Sequence, residues 1–470
     1  MESVAKTKKR ILFLNPPGKK IYIRDYYCSK VSKAYYLPQP VDLMVQTSFF
    51  DTDDYDLQVI DAIAEKWDIQ QAKSRILAFA PDYIIGQFGA ASLEEDVAFY
   101  AIVKEALPDC AIFCSGDVLL EDSEEIIGDY NWLQGIVTDF YKPGVLHFIE
   151  GNLDATDGLV YKSNTGEVAK GVGKYQKYTE LSIPKHELFN NKKYRMPFAT
   201  GYPMATVLTN YACPYPCTFC IMSHLEFKSR TAASIIEEIV SLKKMGIKFI
   251  YFSDQTFYTI PKVMDEVLDY MIDHQINIKW MCFSRVDVMT EERLEKMKAA
   301  GCQIIMYGVE WAEDHYLKKY KKNYTVKQIR EAFALTKKVG IKRLGTFLMG
   351  VPGQSRASIL NTLDLAIEID ADYASFNVAV PRANTSFRDE AISQGLISEE
   401  DRVMDQSGSF ITMGTGVLEL DELGKLKKSV YRKFYFRPKY ILKRLANLRN
   451  LQELKSHSME GFYILKHIFS

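Results

Sequence analysis

The chain alternates short apolar runs with stretches of helical pattern, in two successive series that begin near residues 11 and 205. Short buried strands with helices between them predict a parallel sheet that is covered on both faces. A chain of 470 residues also exceeds what one hydrophobic core usually holds, so two or three domains are expected. The pattern therefore predicts an α/β protein with a separate parallel sheet in each series.

The first series predicts a Rossmann-like, doubly wound domain over residues 1–150. Its strands are expected at residues 11–15, 57–60, 83–85 and 111–114, with helices at 62–78 and 97–106. Ligands of such sheets bind at the carboxyl ends of the strands. The candidate binding residues near those ends are Asn15, Gln87, Gly89, Ser115, Gly116 and Asp117, and Thr138, later in the domain, is a seventh candidate. Residues 151–198 contain a run rich in Gly, Asp, Asn and Ser and are predicted to be a linker or bridge.

The second series predicts six strand–helix units over residues 199–400. Its strands are expected at residues 206–208, 249–252, 280–283, 304–309, 344–349 and 373–378, with helices such as 234–245 and 290–300. Six units are too few for a closed eightfold barrel, so a partial (β/α)6 barrel of TIM type is predicted. Residues 401–470 become basic, with interleaved aromatic residues, and are predicted to form a C-terminal helical region.

The composition excludes several classes of protein. A net charge of −1 argues against a general polyanion binder, and the 47% hydrophobic and 25% charged fractions are those of an ordinary globular protein. No apolar run approaches the roughly 20 residues that a membrane span needs. The first ten residues are polar and basic, without an apolar signal core. Eight cysteines in so long a chain favour free thiols in a reducing compartment, so a cytoplasmic protein is expected.

Three cysteines follow the first strand of the second series with the spacing CxxxCxxC: Cys213, Cys217 and Cys220. Thiolates are soft ligands that suit iron–sulfur clusters, and three of them leave one iron of a cubane open. Zinc would normally require four ligands. His224 could be the fourth, but the second cysteine pair of a zinc ribbon is absent. A [4Fe–4S] cluster is therefore predicted, and the isolated Cys282 and Cys302 are interpreted as core thiols.

The cysteine spacing, set in a six-unit partial barrel, resembles the radical S-adenosylmethionine (SAM) superfamily over residues 204–385. The resemblance implies that the open iron binds the amino and carboxylate groups of SAM. It also implies that one electron cleaves SAM to a 5′-deoxyadenosyl radical, which abstracts hydrogen from the substrate. An external electron donor of flavodoxin or ferredoxin type is expected with it.

The same resemblance assigns SAM contacts to individual positions. Those residues are Phe219, Asp254, Gln255, Thr256, Ser284, Arg285, Glu310, Met349 and Gly350. The sequence departs from three motifs of the superfamily. Gly-Glu-Thr reads Gly353-Gln354-Ser355, Glu-Ser-Gly reads Glu310-Trp311-Ala312, and Pro-Gly-Thr reads Ala383-Asn384-Thr385.

A doubly wound domain ahead of such a barrel resembles the cobalamin-binding subfamily of these enzymes. Asn15-Pro16-Pro17 after the first strand and the segment 24–30 carry that resemblance. It implies cobalamin at the seven candidate residues of the first domain, and a methyl transfer to an unactivated carbon. The signature Asp-x-His-x-x-Gly is absent, and no histidine precedes His147, so histidine is not expected to ligate cobalt through that motif.

Several alternatives remain open at this stage. Relatives of this kind also catalyse cyclisation or rearrangement, and the first domain could be a scaffold that binds nothing. Outside this class, the chain could be a non-catalytic, metal-stabilised binding protein. The basic C-terminal region could be a helical lid on the barrel, a contact for anionic lipid or a contact for RNA, although no nucleic-acid module is present. The substrate is expected to be a small molecule or a lipid.

Overall fold

The computed structural model describes residues 8–26, 29–32, 36–120, 122–173, 182–401 and 411–446. The chain divides into two compact units. Unit 1 comprises Met1–Val31 and Leu37–Tyr194, and unit 2 comprises Ser32–Tyr36 and Arg195–Ser470. Within the described ranges, no helix combines the length and the apolar character that crossing a membrane requires. The parts of the predictions that fall on residues 1–7, 27–28, 174–181, 402–410 and 447–470 lie outside the described residues.

Unit 1 is built on one large sheet and a small hairpin. Its strands are β1 (Lys9–Asn15), β2 (Tyr22–Ile23), β3 (Lys30–Val31), β4 (Tyr55–Asp61), β5 (Tyr83–Gln87), β6 (Ala111–Ser115), β7 (Leu133–Val137), β8 (Leu159–Lys162) and β9 (Val168–Lys170). Over the described residues, the large sheet has seven strands in the order β4-β1-β5-β6-β7-β8-β9, and β2 pairs antiparallel with β3. The first five strands of that order are parallel, β8 pairs antiparallel with β7, and β9 pairs antiparallel with β8.

Helices connect the parallel strands of unit 1. They are α1 (Val41–Thr47), α2 (Ala62–Glu65), α3 (Ile69–Phe79), α4 (Leu93–Ala106), α5 (Ser123–Asp129) and α6 (Gly144–Glu150). Local sequence fixes some of their ends. Asp68 caps α3 in a capping box with Gln71, which satisfies amide groups at the start of the helix. Asp61, the last residue of β4, caps α2 by accepting from the Ala64 amide.

The structure extends the first sheet beyond the four strands that the sequence indicates. Strand β7 carries Gly135, where a Cβ atom would lie 2.7 Å from the Phe113 ring, so the strand is interrupted by a residue that packing keeps small. Strands β8 and β9 are short and lie in the stretch interpreted as a linker. Residues as far as Tyr194 belong to unit 1.

Unit 2 contains a wholly parallel sheet. The strands of the unit are β10 (Met204–Val207), β11 (Asn210–Tyr211), β12 (Lys228–Ser229), β13 (Phe249–Phe252), β14 (Lys279–Ser284), β15 (Cys302–Glu310), β16 (Lys342–Met349) and β17 (Tyr373–Val378). In the described part of the chain the sheet has six strands in the order β10-β13-β14-β15-β16-β17. Each agrees with a predicted strand to within about two residues, and the predicted α/β fold class is confirmed.

Helices alternate with these strands. They are α7 (Ala232–Lys244), α8 (Pro261–Asp273), α9 (Glu291–Ala299), α10 (Asp314–Lys319), α11 (Val326–Val339), α12 (Arg356–Glu368), α13 (Ser386–Ser393), α14 (Leu420–Tyr435) and α15 (Pro438–Ala446). Hydroxyl side chains cap several of them. Ser355 caps α12 and Thr385 caps α13, so the last residue of two departing motifs begins a helix in this structure.

Tyrosine side chains of α14 bond to the outer edge of β17, which has no strand neighbour among the described residues. The Tyr431 hydroxyl accepts from the Phe376 amide at 3.1 Å and donates to the Phe376 carbonyl at 3.2 Å. One helical turn later, the Tyr435 hydroxyl accepts from the Ala374 amide at 3.1 Å and donates to its carbonyl at 2.7 Å. The described part of the basic region thus packs on the barrel and satisfies an edge strand that would otherwise be unpaired.

Candidate cluster site at the carboxyl end of the barrel strands

The three cysteines lie on a loop whose base is closed by a small antiparallel ribbon. Strands β11 and β12 flank the loop, with Asn210 opposite Ser229 and Tyr211 opposite Lys228. All three thiols are free of disulfides, and Cys217 is buried. Cys213 and Cys220 are partly exposed as residues. The ribbon therefore presents three separate thiols at the carboxyl end of the first barrel strand.

Hydrogen bonds fix the second half of the loop. The Cys220 amide donates to the Cys217 carbonyl at 3.1 Å. The Ser223 hydroxyl donates to both cysteine carbonyls, at 3.1 and 2.8 Å. The Thr218 amide donates to the Tyr320 carbonyl at 3.2 Å, which ties the loop to the segment after α10. Burial raises the pKa of the Cys220 thiol to about 12.

Asp254 follows β13 and holds the start of this loop. Its Oδ1 accepts from the Thr209 amide at 2.7 Å and from the Asn210 amide at 2.9 Å, and its Oδ2 accepts from the Thr209 hydroxyl at 3.0 Å. The carboxyl is fully buried, and burial raises its pKa to about 7. Both oxygens are therefore used within the protein. Asp254 supports the cysteine loop in this structure instead of presenting a free carboxylate to SAM.

The neighbours of Asp254 differ in their placement. Gln255 is exposed, whereas Thr256 is buried and its Oγ1 lies 3.7 Å from Cys213 Sγ. The hydroxyl of Ser253 and the amide oxygen of Asn210 are buried atoms that have no hydrogen-bond partner among the described residues. A ligand at this end of the strands could bind both atoms. Ser253 was not selected from the sequence. Its position directly before Asp254, a predicted SAM contact, was the signal that could have found it.

Glu310 ends β15 in a backbone conformation that a side chain rarely adopts. Its φ is +66°, directly after a register shift between Gly308 and Glu310. The carboxylate pairs with the Lys322 ammonium at 2.9 Å, and both residues are largely buried. A Cβ atom on Gly308 would lie 2.7 Å from Glu310 Oε1 and 2.9 Å from Lys322 Nζ, so glycine makes room for the pair. Sequence reasoning missed Lys322, which lies in a turn after α10 and belongs to no motif.

Lys322 also lies beside the cysteine loop. Its ammonium is 5.6 Å from the centre of the Phe219 ring, the aromatic residue that precedes Cys220. Burial opposes the charge, but the Glu310 carboxylate holds the pKa of Lys322 well above its usual value. The Glu310–Lys322 pair therefore offers both signs of charge near the cysteines. An amino acid group, which carries an ammonium and a carboxylate, is complementary to such a pair.

Ser284 is the last residue of β14 and Arg285 follows it, and both side chains form hydrogen bonds within the protein. The Ser284 hydroxyl donates to the Phe257 carbonyl at 3.0 Å. The Arg285 guanidinium bonds to the Asp287 carboxylate at 2.9 and 2.8 Å, and one of its nitrogens lies 3.9 Å from Cys217 Sγ. The sequence assigned both residues to SAM, and the structure places Arg285 against the cysteine loop.

Met349 and Gly350 form the turn at the end of β16. The Met349 carbonyl accepts from the Ala379 amide at 2.8 Å. Gly350 has a φ of +84°, and its amide donates to Gln354 Oε1 at 2.7 Å. Gln354 is fully buried, so the residue that replaces the superfamily's glutamate stabilises the turn itself. Any contribution of Gly350 to SAM binding would rest on its backbone.

The donor set fits a cluster better than a single ion. Within the described residues, no three histidine, cysteine, aspartate or glutamate side chains converge on one metal position. A zinc site built from the cysteines and His224 would need such convergence. A cubane does not, because each cysteine ligates a different iron. Three free thiols on one supported loop therefore match a [4Fe–4S] cluster with one open iron.

At the carboxyl end of the unit 1 strands, polar side chains bond mainly to one another. Arg24 pairs with Asp96 at 2.7 Å, and both side chains are 0% exposed. The same guanidinium donates to Asn15 Oδ1 and to the Pro16 carbonyl, both at 2.8 Å. The Gly89 amide donates to Asp96 Oδ2 at 3.0 Å. Asn15 and the Gly89 amide are thus used within unit 1.

A second cluster in unit 1 surrounds Asp42. The Ser115 hydroxyl donates to Asp42 Oδ2 at 2.6 Å, and the Gln87 side-chain amide donates to Asp42 Oδ1. Burial raises the pKa of Asp42 to about 7. Gln87 Oε1 is buried without a hydrogen-bond partner among the described residues. It is the polar atom here that a ligand could satisfy.

The last candidates of unit 1 are engaged through main-chain contacts. The Asp117 carboxylate accepts from the main-chain amides of Ser29 at 2.7 Å and of Ala90 and Val118, both at 3.0 Å. The Thr138 amide donates to the Gly158 carbonyl at 2.9 Å. A Cβ atom on Gly116 would lie 1.5 Å from the Phe88 carbonyl oxygen, so this turn requires glycine. These turns fit a cofactor held by backbone and apolar contacts, and no side chain among the seven candidates is a nitrogen ligand for cobalt.

Residues 207–366 match the model of the Radical SAM superfamily. That range contains all three cysteines and the ion pair of Glu310 with Lys322. The match agrees with the six-stranded parallel sheet and with the donor set, so residues 207–366 are a radical SAM domain.

Two curated proteins resemble most of the chain. The uncharacterized methyltransferase PH0819 of Pyrococcus horikoshii is 28% identical over 412 residues, which cover 83% of this chain and 86% of that protein. The anaerobic magnesium-protoporphyrin IX monomethyl ester cyclase of Rubrivivax gelatinosus is 20% identical over 420 residues, which cover 82% of this chain and 71% of that protein. Both matches extend well beyond the radical SAM domain.

Two solved structures share the fold. The radical SAM methyltransferase TsrM of Kitasatospora setae, with cobalamin and a [4Fe–4S] cluster bound, superposes with a TM-score of 0.67 at 14% identity, covering 84% of this chain and 80% of that one. The cobalamin-dependent SAM radical enzyme OxsB, with aqua-cobalamin and SAM bound, superposes with a TM-score of 0.66 at 17% identity, covering 98% of this chain and 72% of that one. At these identities the likeness establishes the architecture.

Proposed function

We propose that this protein is a cobalamin-dependent radical SAM methyltransferase that acts on an unactivated carbon. The observation that carries the proposal is the set of three free thiols on a supported loop at the carboxyl end of a six-stranded parallel sheet. A doubly wound unit precedes this sheet in the sequence, and the resemblance to the cobalamin-binding subfamily depends on such a unit. PH0819 and TsrM, both named as methyltransferases, support the reaction class.

The residues around the cysteines have different roles in the proposed reaction. When bound, the cluster and cobalamin would supply a one-electron reduction of SAM and a transferable methyl group. Glu310 and Lys322 would hold the ammonium and the carboxylate of SAM through complementary charge. Asp254 keeps the start of the cysteine loop in place. The aromatic residues Phe219 and Trp311, whose ring centres are 5.6 Å apart, would exclude water from this side of the site.

Cobalamin binding rests on unit 1. Its turns at Gly89 and Gly116 pack closely against Ser29 and Phe88, and Gln87 Oε1 is a buried acceptor without a partner among the described residues. TsrM and OxsB, which share the architecture, are described with cobalamin bound. Since the polar side chains of this edge bond to one another, recognition would depend on backbone and apolar contacts.

Cyclisation is the second candidate. The Rubrivivax cyclase resembles 82% of the chain, and a cyclase would share the cluster and the SAM site. The product distinguishes the two reactions, because methyl transfer replaces a hydrogen of the substrate with a methyl group, a net gain of one CH2 unit, and cyclisation adds no methyl group.

The proposed partners follow from this chemistry. An external one-electron donor of flavodoxin or ferredoxin type would reduce the cluster. The substrate would be a small molecule or a lipid, and a cytoplasmic location suits free thiols. On the C-terminal helices, the exposed side chains of Phe436, Ile441 and Leu442 are close in sequence to basic residues, which would suit contact with an anionic lipid surface.

Metal content tests the proposed function. The protein is purified anaerobically, reconstituted with iron, sulfide and hydroxocobalamin, and desalted before iron and cobalt are measured. About four irons and one cobalt per chain are expected. The variant Cys217→Ala should lose the iron and keep the cobalt. The control Cys110→Ala, which removes a buried thiol of unit 1, should keep both.

Each other outcome would change the proposal. Four irons without cobalt would leave a radical SAM enzyme whose first unit is a scaffold, and methyl transfer through cobalamin would be abandoned. Zinc in place of iron, without release of 5′-deoxyadenosine from SAM, would indicate a metal-stabilised binding protein.

A further inference from the structure

We propose that Arg285 is a positioning residue for Cys217 and that its hydrogen bond to the thiolate sulfur raises the reduction potential of the cluster. The inference rests on the proposed cluster and adds a role for a residue that touches no substrate. The carrying observation is the 3.9 Å distance from Arg285 Nη1 to Cys217 Sγ. Hydrogen bonds to ligand sulfurs are one of the factors that set the potentials of iron–sulfur clusters.

The guanidinium is held on three sides. Its Nε and Nη2 donate to the two oxygens of Asp287 at 2.9 and 2.8 Å, and Nη2 also donates to the Lys322 carbonyl at 2.7 Å. Its carbon lies 3.8 Å from the ring centre of Tyr215 and 5.0 Å from that of Tyr324. The group therefore has one orientation, and in that orientation Nη1 faces Cys217.

Most N–H groups of the Arg285 guanidinium already donate to partners within the protein. A guanidinium has five N–H donors. Two are used on Asp287, one on Lys322 and one on Cys217. One donor on Nη1 remains, so the bidentate binding of a ligand carboxylate, which is the usual reason for an arginine in a SAM site, is not open to Arg285.

The sign of the effect follows from charge. Reduction adds an electron to the cluster, and an N–H donor on a ligand sulfur stabilises the more negative state. The Arg285 side chain is 5% exposed, so solvent screens this interaction only weakly. Asp287 neutralises most of the cationic charge. Loss of the donor should therefore lower the potential, and loss of the Asp287 charge should raise it.

The test compares variants with a matched control. Arg343 forms a similar ion pair with Asp372 at 2.8 Å, with side chains that are 3% and 17% exposed, against 5% and 20% for Arg285 and Asp287. It lies at the start of β16, the opposite end of the strand from the cluster site. Arg343→Gln therefore controls for the loss of a buried ion pair without touching Cys217.

The measurement is a potentiometric titration of the reconstituted cluster without SAM, followed by electron paramagnetic resonance. In Arg285→Gln, the ratio of reduced to oxidised cluster at a fixed potential should fall about tenfold, which for one electron is about 59 mV. Asp287→Asn should shift the potential in the opposite direction, and Arg343→Gln should leave it at the wild-type value. Opposite shifts from adjacent residues would not arise from general damage to the fold.

Two results would overturn the inference. One is a wild-type potential in Arg285→Gln with full iron content, the expected result if Arg285 binds only SAM. The other is a shift of the same sign in Arg285→Gln and Asp287→Asn. If Arg285→Gln retains no iron while Arg343→Gln does, the role of Arg285 in positioning Cys217 is supported. The direction in which Asp287→Asn shifts the reduction potential then decides whether Arg285 also tunes the cluster. Absence of iron from the wild-type protein would instead refute the proposed function.

Discussion

Both units end their parallel strands in buried polar residues, but the two edges use them differently. In unit 1, Arg24 and Asp96 form a closed pair, and Asp42, Gln87 and Ser115 form another closed cluster. In unit 2, Asp254 and Ser223 hold the cysteine loop through its main-chain groups, and the three thiols remain available as metal ligands. The comparison indicates that the edge of unit 1 uses its polar side chains within the protein, whereas the edge of unit 2 offers three sulfur ligands to a metal cluster.

Among the predictions that test this comparison, breaking the Arg24–Asp96 ion pair should have the largest effect on stability. Arg24→Met would leave Asp96 as an uncompensated buried charge, so unit 1 should lose about 3–5 kcal/mol of unfolding free energy. The double variant Arg24→Met with Asp96→Leu should recover much of that loss. Chemical denaturation followed by tryptophan fluorescence would measure it.

The control is the exposed pair of Arg10 with Asp82, whose side chains are 42% and 45% exposed. Arg10→Met should lower stability by at most about 1 kcal/mol. Equal losses in Arg24→Met and Arg10→Met would mean that the closed network of unit 1 does not stabilise it.

A smaller effect is expected at the turn that approaches Phe88. In Gly116→Ala the new methyl group would lie 1.5 Å from the Phe88 carbonyl oxygen, so the turn must shift. Overpacking of this kind destabilises by about 1–3 kcal/mol. Thermal unfolding would measure the loss, and cobalt retention would show whether the turn contacts cobalamin.

Gly128→Ala provides the matched control, because no atom lies within 4 Å of a Cβ added there, and the residue is helical. This substitution should stabilise unit 1 by about 0.5–1 kcal/mol. A harmless Gly116→Ala would show that the turn is more adaptable than its geometry indicates.

A gradual, pH-dependent effect is expected at both edges. The pKa of Asp42 and that of Asp254 are each raised by burial to about 7 from 3.8. A carboxyl whose folded-state pKa is raised stabilises the fold fully below pH 4, and this stabilisation is lost as pH rises towards 7. Each group contributes a slope of at most about 1.4 kcal/mol per pH unit.

Asp254→Asn should flatten this slope for unit 2, and Asp42→Asn should flatten it for unit 1. Asparagine can keep the acceptor at Oδ1 for the two amides that bond to Asp254. Denaturation midpoints between pH 4 and 8 would measure both slopes. An unchanged slope in either variant would mean that the carboxyl titrates in its ordinary range.

The fold was more predictable than the roles of the site residues. All six barrel strands are apolar runs of four to nine residues, so their positions follow from local sequence. Strand β7 was missed because Gly135 interrupts its apolar pattern, and β8 and β9 because their stretch is rich in turn-forming residues. These three strands form because they pair with adjacent strands of the sheet, and not because of local sequence preference.

Within the site, spacing identified the cysteines but not the partners of the other residues. Lys322 lies twelve residues after Glu310, and only the turn after α10 brings the two together. Asp254 and Arg285 have the charges that a SAM site needs. The Asp254 carboxylate nevertheless bonds to the start of the cysteine loop, and the Arg285 guanidinium bonds to Asp287, the Lys322 carbonyl and Cys217. The sequence shows which residues are charged, but the partner of each charged side chain depends on the folded structure.

The hydrogen bonds of the Tyr431 and Tyr435 hydroxyls to β17 determine where this protein can be truncated. The superfamily match ends at residue 366, before β17 and before α14. A fragment ending there would expose β16 as a bare sheet edge, and such edges recruit strands from other molecules. The smallest well-behaved barrel should therefore extend through Tyr435, well past the limit that sequence similarity suggests.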